Sequence, residues 1–424
     1  MSKLLLKGGC VLTLGQRTPN HTRADVLVEN GRIAEVAPSV RARDAEVVDA
    51  TDTIVMPGFV DAHRVLAHTL FRGAGHLGAP PAAGHYEADD LYAATLLGLL
   101  SSAEAGSTTV VDWVEPRDRA CLEAVLRAHE DAGLRSVVVV ARAAGVSFED
   151  WKRLLTLPAP ANVVIAAGSD EPGRVPDADI QQQWAAARSS GVRIHARAGT
   201  STETAGAVAR LAGQLGPDVT LVHCTRLSPE DLDAIKAAGV SVVLAPSQEM
   251  ADGVGMPPVQ DLMDRQLKPG LGVGVETLAP GDVFAQMRAV ISIQHARYFD
   301  LKLAGKAGLP NLLNTRETIK FGTYYGAASV GLADVTGSIE PGKQADLIVL
   351  RCDRPNIWPI NDPIGAVVWG MDTSNLDLVV VAGRVVVRDG RLTDDTTGVR
   401  TMAEEARRRV AGRAGLLEAV GGPA

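Results

Sequence analysis

Three histidines close apolar runs in this chain, and imidazoles placed that way can move protons or hold a metal ion. His63 ends the run over residues 53–60 through Asp61-Ala62-His63, His195 follows Arg193-Ile194, and His223 follows Leu221-Val222. Carboxylates stand nearby in the sequence: Asp112 inside residues 108–113, Glu249 in Ala245-Pro246-Ser247-Gln248-Glu249-Met250, and Glu276 in Val273-Gly274-Val275-Glu276-Thr277. A histidine beside a carboxylate supports general acid–base chemistry, and a neutral imidazole is a common metal ligand. Side chains two apart on a strand share a face, so His63 and residue 65 look into the same space. Residue 65 is valine, and its hydrocarbon cannot ligate a metal.

Pro57-Gly58-Phe59-Val60-Asp61-Ala62-His63-Arg64-Val65, then Thr69-Leu70-Phe71-Arg72-Gly73, resembles the end of the first barrel strand in the amidohydrolase superfamily. The resemblance covers nearly the whole chain and is closest to the cytosine deaminase and chlorohydrolase branch. It implies one metal held by a first-strand His-x-His pair, a fifth-strand His and an eighth-strand Asp, with a sixth-strand His on substrate or water. His63 and His195 match two ligands, and His223 matches the sixth-strand imidazole. Val65 stands where the second histidine belongs. The aspartate falls on Gly274, or on an alternative alignment on Glu276, ~6.6 Å nearer the strand end. The family's strand-five glutamate falls on Ala198.

With two of the four ligands replaced, the site is expected to be a degenerate metal site with no metal and no other cofactor. A rearranged zinc or iron site from His63, His195, His223 and Glu276 is the alternative. His195, His223, Glu249 and Glu276 are expected to be catalytic, and His63, His68, Arg72 and Asp112 to bind substrate. Glu249 has a solvated or capping role as its plain alternative, Arg72 a structural salt bridge, and His68 a surface-loop position. The expected function is an amidohydrolase-like enzyme cleaving a non-peptide C–N bond of a small nitrogenous substrate without the usual metal. The alternatives are a mononuclear Zn/Fe deaminase or hydrolase, a metal-independent lyase or decarboxylase, and a non-catalytic small-molecule-binding relative.

Such side chains need a scaffold that brings strand ends together. Residues 55–62, 108–113, 135–141, 162–167, 193–198, 220–224, 241–245 and 270–277 read as strands. Residues 88–105, 120–132, 177–190, 202–215 and 229–238 carry apolar residues at helical spacing, and 315–332 and 401–420 add helices. Alternating parallel strands and helices close as a (β/α)8 TIM barrel, an α/β fold whose functional residues sit at the strands' C-terminal ends. The terminal segments read as short strands, with Asn30-Gly31 as a hairpin turn. Ile339-Glu340-Pro341-Gly342-Lys343-Gln344-Ala345-Asp346 resembles the superfamily's re-entry into a small β-sandwich. The resemblance implies a composite β-sandwich domain from 1–56 and 338–395, a barrel over 57–337, and a C-terminal helix over 396–424. The Gly/Pro-rich stretch 73–87, with His76, His85 and Tyr86, reads as a lid. His21, His129 and His295 read as surface or helix residues, and Asp282 as the cap of a helix starting near Val283.

A formal charge of −8 excludes non-specific nucleic-acid binding, and no apolar run reaches membrane-span length. The four cysteines lack metal-site spacing and fit a reducing cytoplasm, as does an N-terminus without a signal-peptide pattern. The expected partners are a small-molecule substrate and, from the resemblance, further copies of the chain in a dimer or tetramer.

Overall fold

Runs such as Arg135–Ala141 (RSVVVVA) have no polar alternation and are buried along almost their whole length. Strands of that kind belong to parallel sheets covered on both faces. The computed structural model describes residues 3–16, 18–75 and 84–418. His76 and most of the expected lid lie outside the described residues, as does the end of the expected C-terminal helix.

Eight parallel strands follow one another in chain order: Phe59–Arg64, Ser107–Val114, Arg135–Ala141, Val163–Ser169, Ile194–Ala198, Val219–His223, Ser241–Leu244 and Gly270–Leu271. The eighth returns to the first. The Val65 N–H donates to the Gly274 carbonyl (3.0 Å), and the Gly274 N–H donates to the His63 carbonyl (2.8 Å). The barrel is thereby nearly closed and ringed by helices. Its eighth strand is shorter than the expected 270–277 for two reasons. Gly274 turns left-handed at φ 75, and the Asp61 carboxylate takes the Val273 N–H (2.9 Å) in place of a backbone partner.

The expected strand over 55–62 is divided at Gly58. Thr53–Pro57 belongs to the second sheet and Phe59–Arg64 to the barrel. A Cβ on Gly58 would lie 2.2 Å from the Thr108 side chain, so only glycine lets the chain cross there.

The helices expected over 88–105, 120–132, 177–190 and 229–238 are Ala88–Glu104, Arg119–Ala132, Asp177–Ser189 and Pro229–Ala238. Asp118 and Ser228 cap the second and fourth through side-chain acceptors. Asp282 caps Val283–Leu303 in the same way. The expected helix 202–215 is instead three short turns, Thr202–Thr204, Ala207–Arg210 and Ala212–Gln214. Gly206 adopts φ 77, and Asp231 takes the N–H groups of Gly206 (2.7 Å) and Ala209 (2.8 Å), which holds the chain in a turn. The expected helix 315–332 breaks at Gly322-Thr323 into Thr315–Phe321 and Tyr324–Ser329.

Both ends of the chain build a nine-stranded sheet beside the barrel. Thr53–Pro57 joins its two halves by pairing antiparallel with Leu347–Arg351. Asn30 (φ 51) and Gly31 (φ 77) form the hairpin turn, a pair of left-handed residues that suits the twist of flanking strands. An Arg135–Asp346 ion pair (2.7 Å) ties this sheet to the barrel. The C-terminal helix Thr397–Arg413 lies on Ala88–Glu104, with Arg409 Nε donating to Asp90 (2.9 Å). Among the described residues no helix is long and apolar enough to cross a membrane.

Candidate active site

A cavity of about 970 Å³ opens at the C-terminal ends of the barrel strands, lined among others by Val65, His68, Trp113, Glu171, Arg197 and His223. This is the end of the fold where loops from several strands meet, and the volume is that of a small-molecule site.

The clearest chemical unit is His223 with Glu249. His223 ends the sixth strand at φ 78, and Cys224 follows at φ 62. Two consecutive non-glycine residues in the left-handed region store of order 1–3 kcal/mol each. The turn is held by Cys224 N–H to Ala198 O (2.8 Å) and Arg226 N–H to Gly199 O (2.8 Å). It is held again from the side chain, where His223 Nδ1 lies 3.1 Å from Glu249 Oε1. Glu249 sits wholly buried on the short helix Pro246–Ala251. Its oxygens accept from Ala245 N–H (2.7 Å) and Thr225 Oγ1–H (3.0 Å). A carboxylate so engaged is an acceptor, so Nδ1 of His223 carries the proton. Nε2 is then the free proton acceptor of a ring that lines the cavity. Glu249 orients the imidazole and does not reach the cavity itself.

Behind His223 lies His63, 2 % exposed, its ring edge-on to His223 (5.4 Å between centroids) and to Trp113 (6.0 Å). Burial, then the charges of His223, Arg197 and His195, hold its pKa well below the usual imidazole range. Burial and then Arg193 bring His195 down to about 3. His195 Nε2 is buried with no hydrogen-bond partner among the described residues. His68, on the cavity wall, falls to about 4 through burial and then Arg197. At neutral pH these three rings are uncharged.

Glu276 has a different setting. Its Oε1 meets Arg64 Nη2 at 2.8 Å and Arg72 Nε at 2.9 Å, and its Oε2 accepts from Thr69 Oγ1 (2.8 Å). Arg64, 1 % exposed, also reaches Asp61 (3.1 Å) and the Gly281 carbonyl (3.2 Å). Burial pushes the Glu276 carboxyl up, but Arg64 and Arg72 outweigh it and the net shift is down. Burial likewise works against the Arg64 charge, and Glu276 and Asp61 outweigh it. Arg72 is thus in the salt bridge, and Glu276 is a saturated counter-ion rather than a free base.

Asp112 does not join the cavity. It lies in the barrel wall, where Oδ1 accepts from Leu66 N–H (3.0 Å) and Oδ2 is 3.2 Å from His129 Nε2. Strand parity explains this, because Trp113, one residue on, is the side chain that faces the cavity. His129 is a helix residue as expected, but it is fully buried rather than at the surface. Sequence reasoning passed over Arg64, Trp113, Arg197 and Thr225. Arg197 lies two residues past His195 on the same strand, so parity marks it, whereas Thr225 follows two left-handed residues beyond the sixth strand, where parity no longer applies. Arg64 has the opposite parity to His63, and its partner Glu276 is distant in sequence.

The model of the Amidohydrolase family matches residues 54–386, and the chain belongs to that family. It is an enzyme of the amidohydrolase type, a hydrolase acting on C–N bonds. It is 27 % identical over 404 residues to a 5'-deoxyadenosine deaminase of Methanothermobacter thermautotrophicus, covering 87 % of this chain and 90 % of that one. Against a 5-methylthioadenosine/S-adenosylhomocysteine deaminase of Desulforudis audaxviator the identity is 29 % over 417 residues, with 91 % and 94 % covered. Among solved structures, an adenosine deaminase from Xanthomonas campestris superposes with a TM-score of 0.82 at 21 % identity, over 97 % of this chain and 99 % of that one.

That neighbour carries bound zinc, which corrects the expectation of no cofactor. The side chains of this chain, as arranged, nevertheless do not fit the ion. Among the described residues no group of three or more His, Cys, Asp or Glu is placed to hold one. Val65 presents hydrocarbon, a Cβ on Gly274 would sit 2.0 Å from Gln248 Oε1, and Glu276 is taken by two guanidiniums.

Proposed function

We propose that this member of the amidohydrolase family hydrolytically deaminates a small amino-substituted nitrogen heterocycle, releasing ammonia. The observation that carries the proposal is the His223–Glu249 pair, whose imidazole lines a cavity of nucleoside-accommodating size. The deaminase names of the relatives support the same class of reaction and make aminopurine nucleosides the first substrates to test.

His223 Nε2 takes a proton from water as the water oxygen bonds to the ring carbon that bears the amino group. The imidazolium that forms faces the Glu249 carboxylate through Nδ1–H, which stabilises it. His63, held neutral, adds no opposing charge beside it. The proton then passes to the amino nitrogen, the C–N bond breaks and ammonia leaves; the hydroxyl left on the carbon passes its proton to the adjacent ring nitrogen and becomes the ring carbonyl. Trp113 and His68 give the substrate ring flat walls. The cysteines are unpaired among the described residues, which supports a cytoplasmic setting.

The test is an ammonia-release assay on adenosine, 5'-deoxyadenosine, 5'-methylthioadenosine and simple aminopyrimidines, with zinc supplied and withheld in parallel. Stoichiometric ammonia from at least one amine is the expected outcome. Silence across the panel under both conditions would sink the proposal.

A further inference from the structure

Arg197 lines the cavity and carries a charge that the deamination above does not use. It lies two residues beyond His195 on the fifth strand, so it points to the same side, toward the cavity it lines. Its guanidinium stacks 4.7 Å over the Trp113 ring. Three carboxylates act on it electrostatically, Glu115, Glu171 and Asp252, yet among the described residues none comes within ion-pairing distance. Each of them is already an acceptor elsewhere. Glu115 takes Trp113 Nε1–H (3.2 Å), Glu171 takes Thr200 N–H (2.8 Å) and Oγ1–H (2.6 Å), and Asp252 takes Gln248 Nε2–H (3.0 Å).

A guanidinium has five donors in a rigid fork, and Arg197, half-buried on the cavity wall, presents them where a ligand can reach. Stacking on an indole satisfies the face of the cation and leaves that fork free. The neighbouring His68 also has an unpartnered buried nitrogen, Nδ1, and is a neutral ring that does not compete for an anion. The placement is close to the chemistry. Trp113 carries Arg197 on its face and touches His63, and His63 touches His223.

We infer that Arg197 determines specificity by receiving a carboxylate carried on, or directly beside, the substrate's amino-bearing ring. The inference rests on the deaminase proposal for the identity of that ring and on the cavity geometry for the anion. A planar carboxylate matches the fork bidentately, and the Trp113 platform holds the fork in one plane. The relatives' names denote adenosine-type substrates, so a ring carboxylate would separate this chain's substrate from theirs.

The experiment is calorimetric binding of aminopyrimidines and aminopurines, each as the ring carboxylate, the ring carboxamide and the unsubstituted parent. Wild-type protein is expected to bind a carboxylate roughly tenfold or more tighter than its carboxamide. Arg197→Gln is expected to erase that preference while still binding the parent, which also reports an intact fold. Arg197→Lys keeps the charge but loses the fork and is expected to fall between. No carboxylate preference in the wild type, including no measurable carboxylate binding, overturns the inference. So does a preference that survives in Arg197→Gln. Preferred binding without ammonia release from any compound would instead leave the subsite standing and remove the deaminase proposal.

Discussion

Among the places in this barrel that set a carboxylate against a nitrogen base, two have opposite fates. At the end of the sixth strand, Glu249 holds an imidazole that lines the cavity. At the seam between strands one and eight, Glu276 and Asp61 hold Arg64, whose guanidinium is sealed from solvent and from the cavity. All three carboxylates are buried, so burial alone does not distinguish chemistry from architecture. The difference is the proton. An imidazole can take up and release a proton, whereas a guanidinium does not, so the first pair can cycle and the second can only stay charged. The strained backbone falls on the same side of the comparison, at His223 and Cys224.

Breaking the first pair should cost activity and little else. His223→Ala is expected to lower kcat by roughly 10²–10⁴-fold, the range for loss of a general base, with the unfolding midpoint close to wild type. Glu249→Gln is expected to lower kcat by about 10²-fold with KM nearly unchanged, because it positions the ring and does not touch substrate. An equal rise in KM would place Glu249 in contact with substrate and undo the distinction.

Breaking the second pair should do the reverse. Arg64→Met leaves Glu276 and Asp61 as buried carboxylates without their main counter-ion. It is expected to destabilise by about 3–5 kcal/mol in urea unfolding, as removal of one partner of a buried pair does. A change below ~1 kcal/mol would show that Arg72 and water suffice.

The smallest expected effect is in the pH response of the rings behind the dyad. Histidine NMR should find His195 uncharged down to about pH 3 and His68 down to about pH 4. Their folded pKa values lie below the unfolded 6.5, so the unfolded chain binds more protons across the interval between. Stability from these two rings is therefore complete above about pH 6.5 and is lost progressively as pH falls toward those values. Protonation of His195 near pH 6 would mean that its orphaned Nε2 reaches water.

Much of this was legible in the chain. Period-two reasoning on short apolar runs locates His63, His195 and His223 because a strand's geometry is local. The barrel follows from the same alternation of runs. What parity cannot supply is the identity of a partner far away in sequence. Nothing around Arg64 announces Glu276, and nothing around Asp112 announces that His129 will bury itself against it. Side-chain acceptors also override helix propensity. Asp231 holds a turn near Gly206 by taking two N–H groups that a continuous helix would have used. The metal expectation failed for another reason, since counting ligand letters in one chain says nothing of what the family's fold carries.

The crossing at Gly58 has a consequence in time. Thr53–Pro57 finds its antiparallel partner only at Leu347–Arg351. The N-terminal half of that sheet therefore leaves the ribosome with Ile54, Val55 and Met56 on an open edge. At roughly 5–20 residues per second, the partner strand emerges about 15–60 seconds later, after the whole barrel has been made. During that interval the exposed edge is the part of the nascent chain most open to pairing with another chain. The glycine that lets one strand pass between two bodies also makes the first body wait for the last strand of the chain's return.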